Sequence, residues 1–185
     1  MTTQRWDIDT SHSGIHFTVR HMVIAKVRGV FERWQGTIDF DPADPSKSKV
    51  DVSVDTTSVD TREPKRDEHL RSPEFLDVEK FPKMTFVSKQ IDKVEDGVYR
   101  VHGDLELHGV TLPVVLESEL LGTGKDPWGN ERIAFQARAS LNRKDFGLGW
   151  NAVLETGGLL VGEKIDITLD VEAVKAKAES ASSAA

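Results

Sequence analysis

The residues best equipped for chemistry stand together in Arg66-Asp67-Glu68-His69-Leu70-Arg71-Ser72-Pro73-Glu74. Asp67, Glu68 and Glu74 offer the paired carboxylates that acid–base catalysis uses. Arg66 and Arg71 offer planar donors that grip a diphosphate bidentately. His69, when neutral, donates one hydrogen bond, enough for the carbonyl of a quinone head. The plainer reading is a solvated connection in which the acids pair with Arg66 and Arg71 and fix the local backbone. Catalysis further requires a nucleophile, a base and an orienting group in mutual reach, and no such set can be assembled from the sequence.

These residues must be held by whatever surrounds them. The segment itself, from Pro64 to Leu76, reads as one or two helical turns. Pro64 fits a first turn, where its missing N–H costs nothing, and Pro73 ends that turn or opens another. On both sides the chain alternates apolar and polar residues, the period of a half-buried strand. Ile15, Phe17 and Val19 alternate with His16, Thr18 and Arg20, and Val50, Val52 and Val54 with Asp51, Ser53 and Asp55. Tyr99, Val101, Leu105 and Leu107 share one face, as do Ile133, Phe135, Ala137, Ala139 and Leu141, and then Ile165, Ile167, Leu169 and Val171. Gly29 and Gly36 inside the stretch Val27–Phe40 predict bulges or a barrel bend. Asp96-Gly97 and His108-Gly109 predict tight turns.

About eight such strands, with little helix to cover a sheet, predict a mainly β chain: a single extended eight-stranded antiparallel β-barrel. The short helical insertion at 64–76 is expected over one end. A barrel of that size holds either side chains or one small ligand. The small inward residues Gly103, Ala137 and Ala139 favour a cavity. Alternation assigns Phe17, Val19, Phe31, Val52, Phe86, Leu105, Val115, Phe135 and Ile167 to a tunnel wall. A one-residue slip of register would turn any strand's set outward. Trp34, Phe75, Leu76, Phe146 and Trp150 join them as candidate ligand contacts, because large apolar side chains beside a polar segment suit a long apolar ligand with a polar head. Arg66, His69 and Arg71 are expected near the tunnel mouth, with at least one of them meeting that head.

Composition narrows the alternatives. The chain has 185 residues, no cysteine and a formal net charge of −7. Scattered cations on an acidic chain argue against a nucleic-acid partner. Without cysteine there is no disulfide framework and no thiol chemistry. No apolar run approaches the length needed to span a membrane. The N-terminal residues lack an apolar h-region, so a cytoplasmic location is expected. Residues 1–174 are expected to form the barrel, and the Ala/Ser-rich residues 175–185 a disordered tail. Gly147-Leu148-Gly149-Trp150-Asn151-Ala152 has dinucleotide-fingerprint spacing but no βαβ context, and Trp150 would crowd a phosphate. His12, His16 and His21 match no standard zinc spacing, so no metal site is assigned.

Several stretches together resemble the YceI-like family of polyisoprenoid-binding, lipocalin-like barrels. They are Asp9-Thr10-Ser11-His12-Ser13, Phe17-Thr18-Val19-Arg20-His21-Met22, Val27-Arg28-Gly29-Val30-Phe31, Gly36-Thr37-Ile38-Asp39-Phe40-Asp41 and Ser58-Val59-Asp60-Thr61. The most specific is the opening stretch from Arg66 to Pro73, with Phe75 and Phe81-Pro82 after it. Gly103-Asp104-Leu105, Gly109-Val110-Thr111-Leu112-Pro113-Val114, Pro127-Trp128-Gly129 and Asn142 through Asn151 complete the series. The resemblance covers Trp6 to Val174. It implies an internal tunnel for a polyisoprenoid, an isoprenoid quinone or a fatty-acid-like lipid. It implies a homodimer in some members, a link to stress responses, no required cofactor and no established reaction. An enzyme acting on a prenyl chain, with the acids near His69 as catalysts, is the alternative.

Overall fold

Alternation along the chain becomes eleven strands and one helix in the computed structural model, which describes residues 3–155 and 158–177. The first strands are β1 (Gln4–Ile8), β2 (Gly14–His21), β3 (Ala25–Phe31), β4 (Trp34–Phe40), β5 (Lys49–Asp55) and β6 (Val59–Asp60). Helix α1 (Pro64–Arg71) follows, then β7 (Lys83–Glu95), β8 (Val98–Leu107), β9 (Val110–Lys125), β10 (Glu131–Asn142) and β11 (Val161–Lys175). Among the described residues no helix is long and apolar enough to cross a membrane.

The eleven strands occupy eight positions of a closed antiparallel barrel. β1 and β2 both lie against β11, through Trp6↔Lys175 and Ile15↔Leu169. β4 and β3 lie against β1 and β2 in turn, and β5 and β6 against β4 and β3. Each of these three positions is therefore one strand broken in the middle. The remaining positions are β7, β8, β9, β10 and β11, and the β1–β11 pairing closes the ring. The bend expected from Gly29 and Gly36 falls between them, at Glu32 and Arg33, where β3 gives way to β4. Gly29 has another task. The Phe17 ring lies over it, and a Cβ there would come within 2.3 Å of that ring.

Helix α1 is shorter than the 64–76 expected from sequence. Glu63 caps it, its carboxylate accepting from the backbone N–H groups of Lys65 and Arg66, and Pro64 opens it. Ser72 and Pro73 end it, so Phe75 and Leu76 fall in turns, both buried. The pairing registers place α1 and its loop, the His108-Gly109 turn, the 143–160 segment and the 22–24 turn at one end of the barrel. The 41–48, 96–97 and 126–130 connections lie at the other. Lys175 still pairs with Trp6, one residue into the segment expected to be a tail. The rest of that expectation, from residue 178 on, lies outside the described residues.

The two ends are packed differently. Near α1 the barrel is filled: Val59, Leu76, Leu107, Leu141, Phe146 and Leu148 are buried there, with Phe17, Phe31, Leu70 and Val78 packed against them. Gly147 ends the 3₁₀ turn Arg143–Phe146 with a φ of 76°, a left-handed conformation that glycine adopts without steric cost. That is the purpose of the first glycine in the would-be dinucleotide motif.

Candidate functional site

Between its two ends the barrel encloses a cavity of about 150 Å³. Its wall follows from strand parity. β5 contributes Val50, Val52 and Val54, β7 Met84, Phe86 and Ile91, β8 Tyr99, Val101 and Leu105, and β9 Val114, Leu116 and Ser118. Trp34, Ile38 and Phe40 of β4, Phe135 and Ala137 of β10, and Ile167, Leu169 and Val171 of β11 complete most of it. Among the described residues no charged side chain lines it; the hydroxyls of Ser48, Tyr99 and Ser118 and the indole of Trp34 are its polar groups. A water held inside a protein requires two to four polar partners, so most of this space is suited to hydrocarbon.

Of the residues assigned to the ligand from sequence, Trp34, Val52, Phe86, Leu105, Phe135 and Ile167 face the cavity. Val115 does not: it is 39% exposed and points outward, because Val114 takes the inward place opposite Gly103. Phe17, Val19 and Phe31 share the inward face of β2 and β3 but lie outside the cavity wall. The two phenylalanine rings pack tilted against each other, 5.7 Å apart, and belong to the packed end. Gly103 opens no space either, since the Phe86 ring covers it. Phe75, Leu76, Phe146 and Trp150 belong to the packed end as well and are absent from the wall.

The polar cluster does not line the tunnel. Arg66 donates from Nε to the Thr61 hydroxyl (2.7 Å) and from Nη2 to the Thr61 carbonyl (2.9 Å). Thr61 in turn donates from its N–H and its hydroxyl to the buried Asp67 carboxylate. Arg71 donates to the carbonyls of Thr57 and Val59, both at 2.8 Å. The partners expected for these arginines were acids; the ones they have are the Thr61 hydroxyl and the backbone carbonyls of Thr57, Val59 and Thr61, around β6. A guanidinium supplies such carbonyls with several donors at once. His69 pairs with Glu74 at 2.5 Å and meets the rings of Phe75 and Trp150 edge-on, at 5.0 and 4.6 Å.

Sequence reasoning gave no role to Arg143, which organises the same end. It is 2% exposed, and its guanidinium donates to the carbonyls of Leu148, Trp150 and Gly162, with a longer contact to Val161. Burial pushes its pKa down from the ordinary arginine value. A guanidinium is nonetheless charged at any physiological pH. Its position in the charged run Asn142–Asp145 gave no signal, because the carbonyls it serves lie as much as 19 residues away.

The histidines are engaged locally. His12 contacts Asp9 at 2.8 Å, His102 contacts Asp92 at 3.1 Å, and His108 meets the Phe146 carbonyl at 3.1 Å. Asp9, His12 and Glu172 come close enough to share an ion. A cation already stands among them: the Arg132 guanidinium bonds Asp9, Asp126 and Glu172.

The comparisons with known proteins agree with this geometry. The YceI-like domain model matches residues 6–173. A UPF0312 protein of Yersinia enterocolitica is 42% identical over 171 residues, which cover 92% of this chain and 85% of that one. Burkholderia cenocepacia BcnA superimposes with a TM-score of 0.80 at 20% identity, covering 90% of this chain and 99% of that one. A polyisoprenoid binding domain from Saccharophagus degradans, implicated in plant cell wall breakdown, superimposes with a TM-score of 0.68 at 15% identity, over 92% and 98% of the two chains. At such identities the last two likenesses show the fold alone. The matched domain and the Yersinia relative show more: this chain belongs to the YceI-like family.

Proposed function

We propose that the chain binds a long apolar lipid of the polyisoprenoid kind in the barrel cavity, and sequesters or carries it. The observation that carries this reading is the wall itself, predominantly apolar on the strands that build it and, among the described residues, free of charged side chains. Each buried methylene gains about 0.8 kcal/mol. A dozen therefore supply on the order of 10 kcal/mol, against an association cost of about 4–15 kcal/mol. A longer chain exceeds that cost comfortably. The polyisoprenoid binding named for the Saccharophagus domain gives the ligand class a precedent on the same fold. A wall without cations favours a ligand whose enclosed part is neutral, such as a prenyl chain or a quinone. Turnover by the acids near His69 finds no support in their placement: Asp67 is bound to Thr61, and Glu74 to His69, away from the cavity.

Mass spectrometry of an organic extract of the purified protein is the test. One lipid per chain is expected, with Ala137→Trp folding normally but carrying none, since the indole would occupy the space in front of β10. An empty wild-type protein that also fails to take up an added polyprenol overturns the proposal.

A further inference from the structure

The turn between β2 and β3 is built from unusual residues for its conformation. Met22 and Val23 have φ of 51° and 66°. Left-handed backbone favours glycine or asparagine, and a β-branched residue there is a genuine outlier. Ile24 follows, 88% exposed. A neighbouring segment enlarges the patch: Met22 donates its N–H to the Leu160 carbonyl, a Cβ on Gly158 would come within 3.9 Å of Val23, and Val153 bridges to Leu159. Among the described residues, Met22, Val23, Ile24, Val153 and Leu159 make up half of the exposed large hydrophobic residues. An apolar patch concentrated at one corner, rather than scattered, marks an interaction site.

Its surroundings point to the partner. On the outer face just below the turn, Arg20 and Lys26 stand directly opposite each other. Like charges so placed repel and destabilise the pair. Arg28 is exposed one step further along β3. Among the described residues none of these three cations has an ion-pair partner. Asp166, the acid on the adjoining strand, is bonded to Ser140 and Lys164, with Lys26 near enough to help hold its carboxyl below the usual range, and Glu163 is held by Lys144. Glu155 is the one exposed acid on the 153–159 segment. The patch is thus an apolar tip with a collar of cations outside any ion pair, on a chain whose net charge is −7.

We propose that this corner docks on an anionic lipid bilayer, the tip entering the acyl boundary while Arg20, Lys26 and Arg28 meet the headgroups. Apolar side chains backed by cations are the arrangement by which peripheral proteins hold an anionic interface. The corner lies at the same end as α1 and the 143–160 segment, so docking turns the packed end of the barrel toward the bilayer. The proposal goes beyond lipid binding in the cavity and stands or falls separately from it.

Flotation with unilamellar vesicles tests it, using phosphatidylglycerol mixed with phosphatidylethanolamine and, for comparison, pure phosphatidylcholine. The full chain is expected to float with the first and far less with the second. Val23→Asn with Ile24→Asn is expected to weaken flotation at least tenfold without lowering the melting temperature, because asparagine suits the left-handed turn. Arg20→Glu with Lys26→Glu is expected to abolish the preference for anionic vesicles. Ala137→Trp, which blocks the cavity, is expected to float like the wild type, which separates docking from uptake of a ligand. Failure of the wild type to float, or undiminished flotation of the asparagine variant, overturns the proposal. So does a wild-type dimer in sedimentation that the asparagine variant turns to monomer, since the patch is then an interface between copies.

Discussion

The cavity wall carries no charged side chain, whereas the packed end a few residues away contains Arg66, Asp67, Arg71 and Arg143. The difference follows from the backbone. Along the wall each strand has neighbours on both sides, so the ladder satisfies the main chain and the inward side chains need supply few polar groups. At the packed end the strands break and turn. β5 stops at Asp55, the chain detours through a 3₁₀ turn, and residues 147–152 belong to no strand. Buried carbonyls there require donors, and the guanidinium, with five N–H groups, serves several at once. Arg66, Arg71 and Arg143 of this end are bonded to irregular backbone.

The largest test of that contrast is Arg143→Met. The side chain stays long and apolar, but the carbonyls of Leu148, Trp150 and Gly162 lose their donor. Unsatisfied buried groups cost about 1–3 kcal/mol each, so a loss of about 3 kcal/mol in total is a conservative expectation. In a chain of this length the melting temperature falls by on the order of 10 °C. A shift of only a degree or two shows that the segment finds other donors, and removes the role given to Arg143.

A second test separates support of the backbone from contact with the ligand. Arg71→Ala is expected to lower stability by about 2 kcal/mol, through the carbonyls of Thr57 and Val59. Affinity of the folded protein for a polyprenol is expected to change by less than about threefold, which is under 1 kcal/mol. His69→Ala is expected to leave that affinity equally unchanged. A tenfold loss of binding in either variant, with stability intact, would restore these residues to a head-group site.

The smallest expected effect lies at the far end, where charges are joined in a network nearer the surface. The Asn130 side chain, the backbone N–H groups of Asn130 and Trp128, and Arg132 together pull the Asp126 carboxyl down from 3.8 to about 2. The Ser11 hydroxyl, then His12 and Arg132, hold Asp9 lower still. A lowered carboxylate pKa contributes stability that is present above the ordinary value and is lost as pH falls through the folded value. Denaturant midpoints should therefore drop between pH 3.8 and about 2, the range set by Asp126, and Arg132→Met should flatten that slope. An unchanged slope in the variant shows that the Arg132 network contributes nothing to acid stability.

The barrel was legible in the sequence because alternation is local: each strand shows its inward face by period two, and few helices remain to cover an open sheet. Helix α1 was legible for a similar reason, with Pro64 and Pro73 marking its limits. Parity also placed Val52, Phe86, Leu105, Phe135 and Ile167 toward the cavity. It failed at Val114-Val115, where two valines in succession leave the period undefined. Only the register set by the His108-Gly109 turn, with Leu107 opposite Val110 and Gly103 opposite Val114, decides which of them faces inward. Tertiary structure alone also decided how much of the inward face remains open. Phe17 and Phe31 have the right parity, yet the segments around Leu76 and Phe146 close that end of the barrel upon them. The roles of Arg66, Arg71 and Arg143 were hidden for the same reason. A charged residue in a loop looks alike whether it meets a ligand, water or a carbonyl, and the carbonyls that claim these three become neighbours only when the barrel closes.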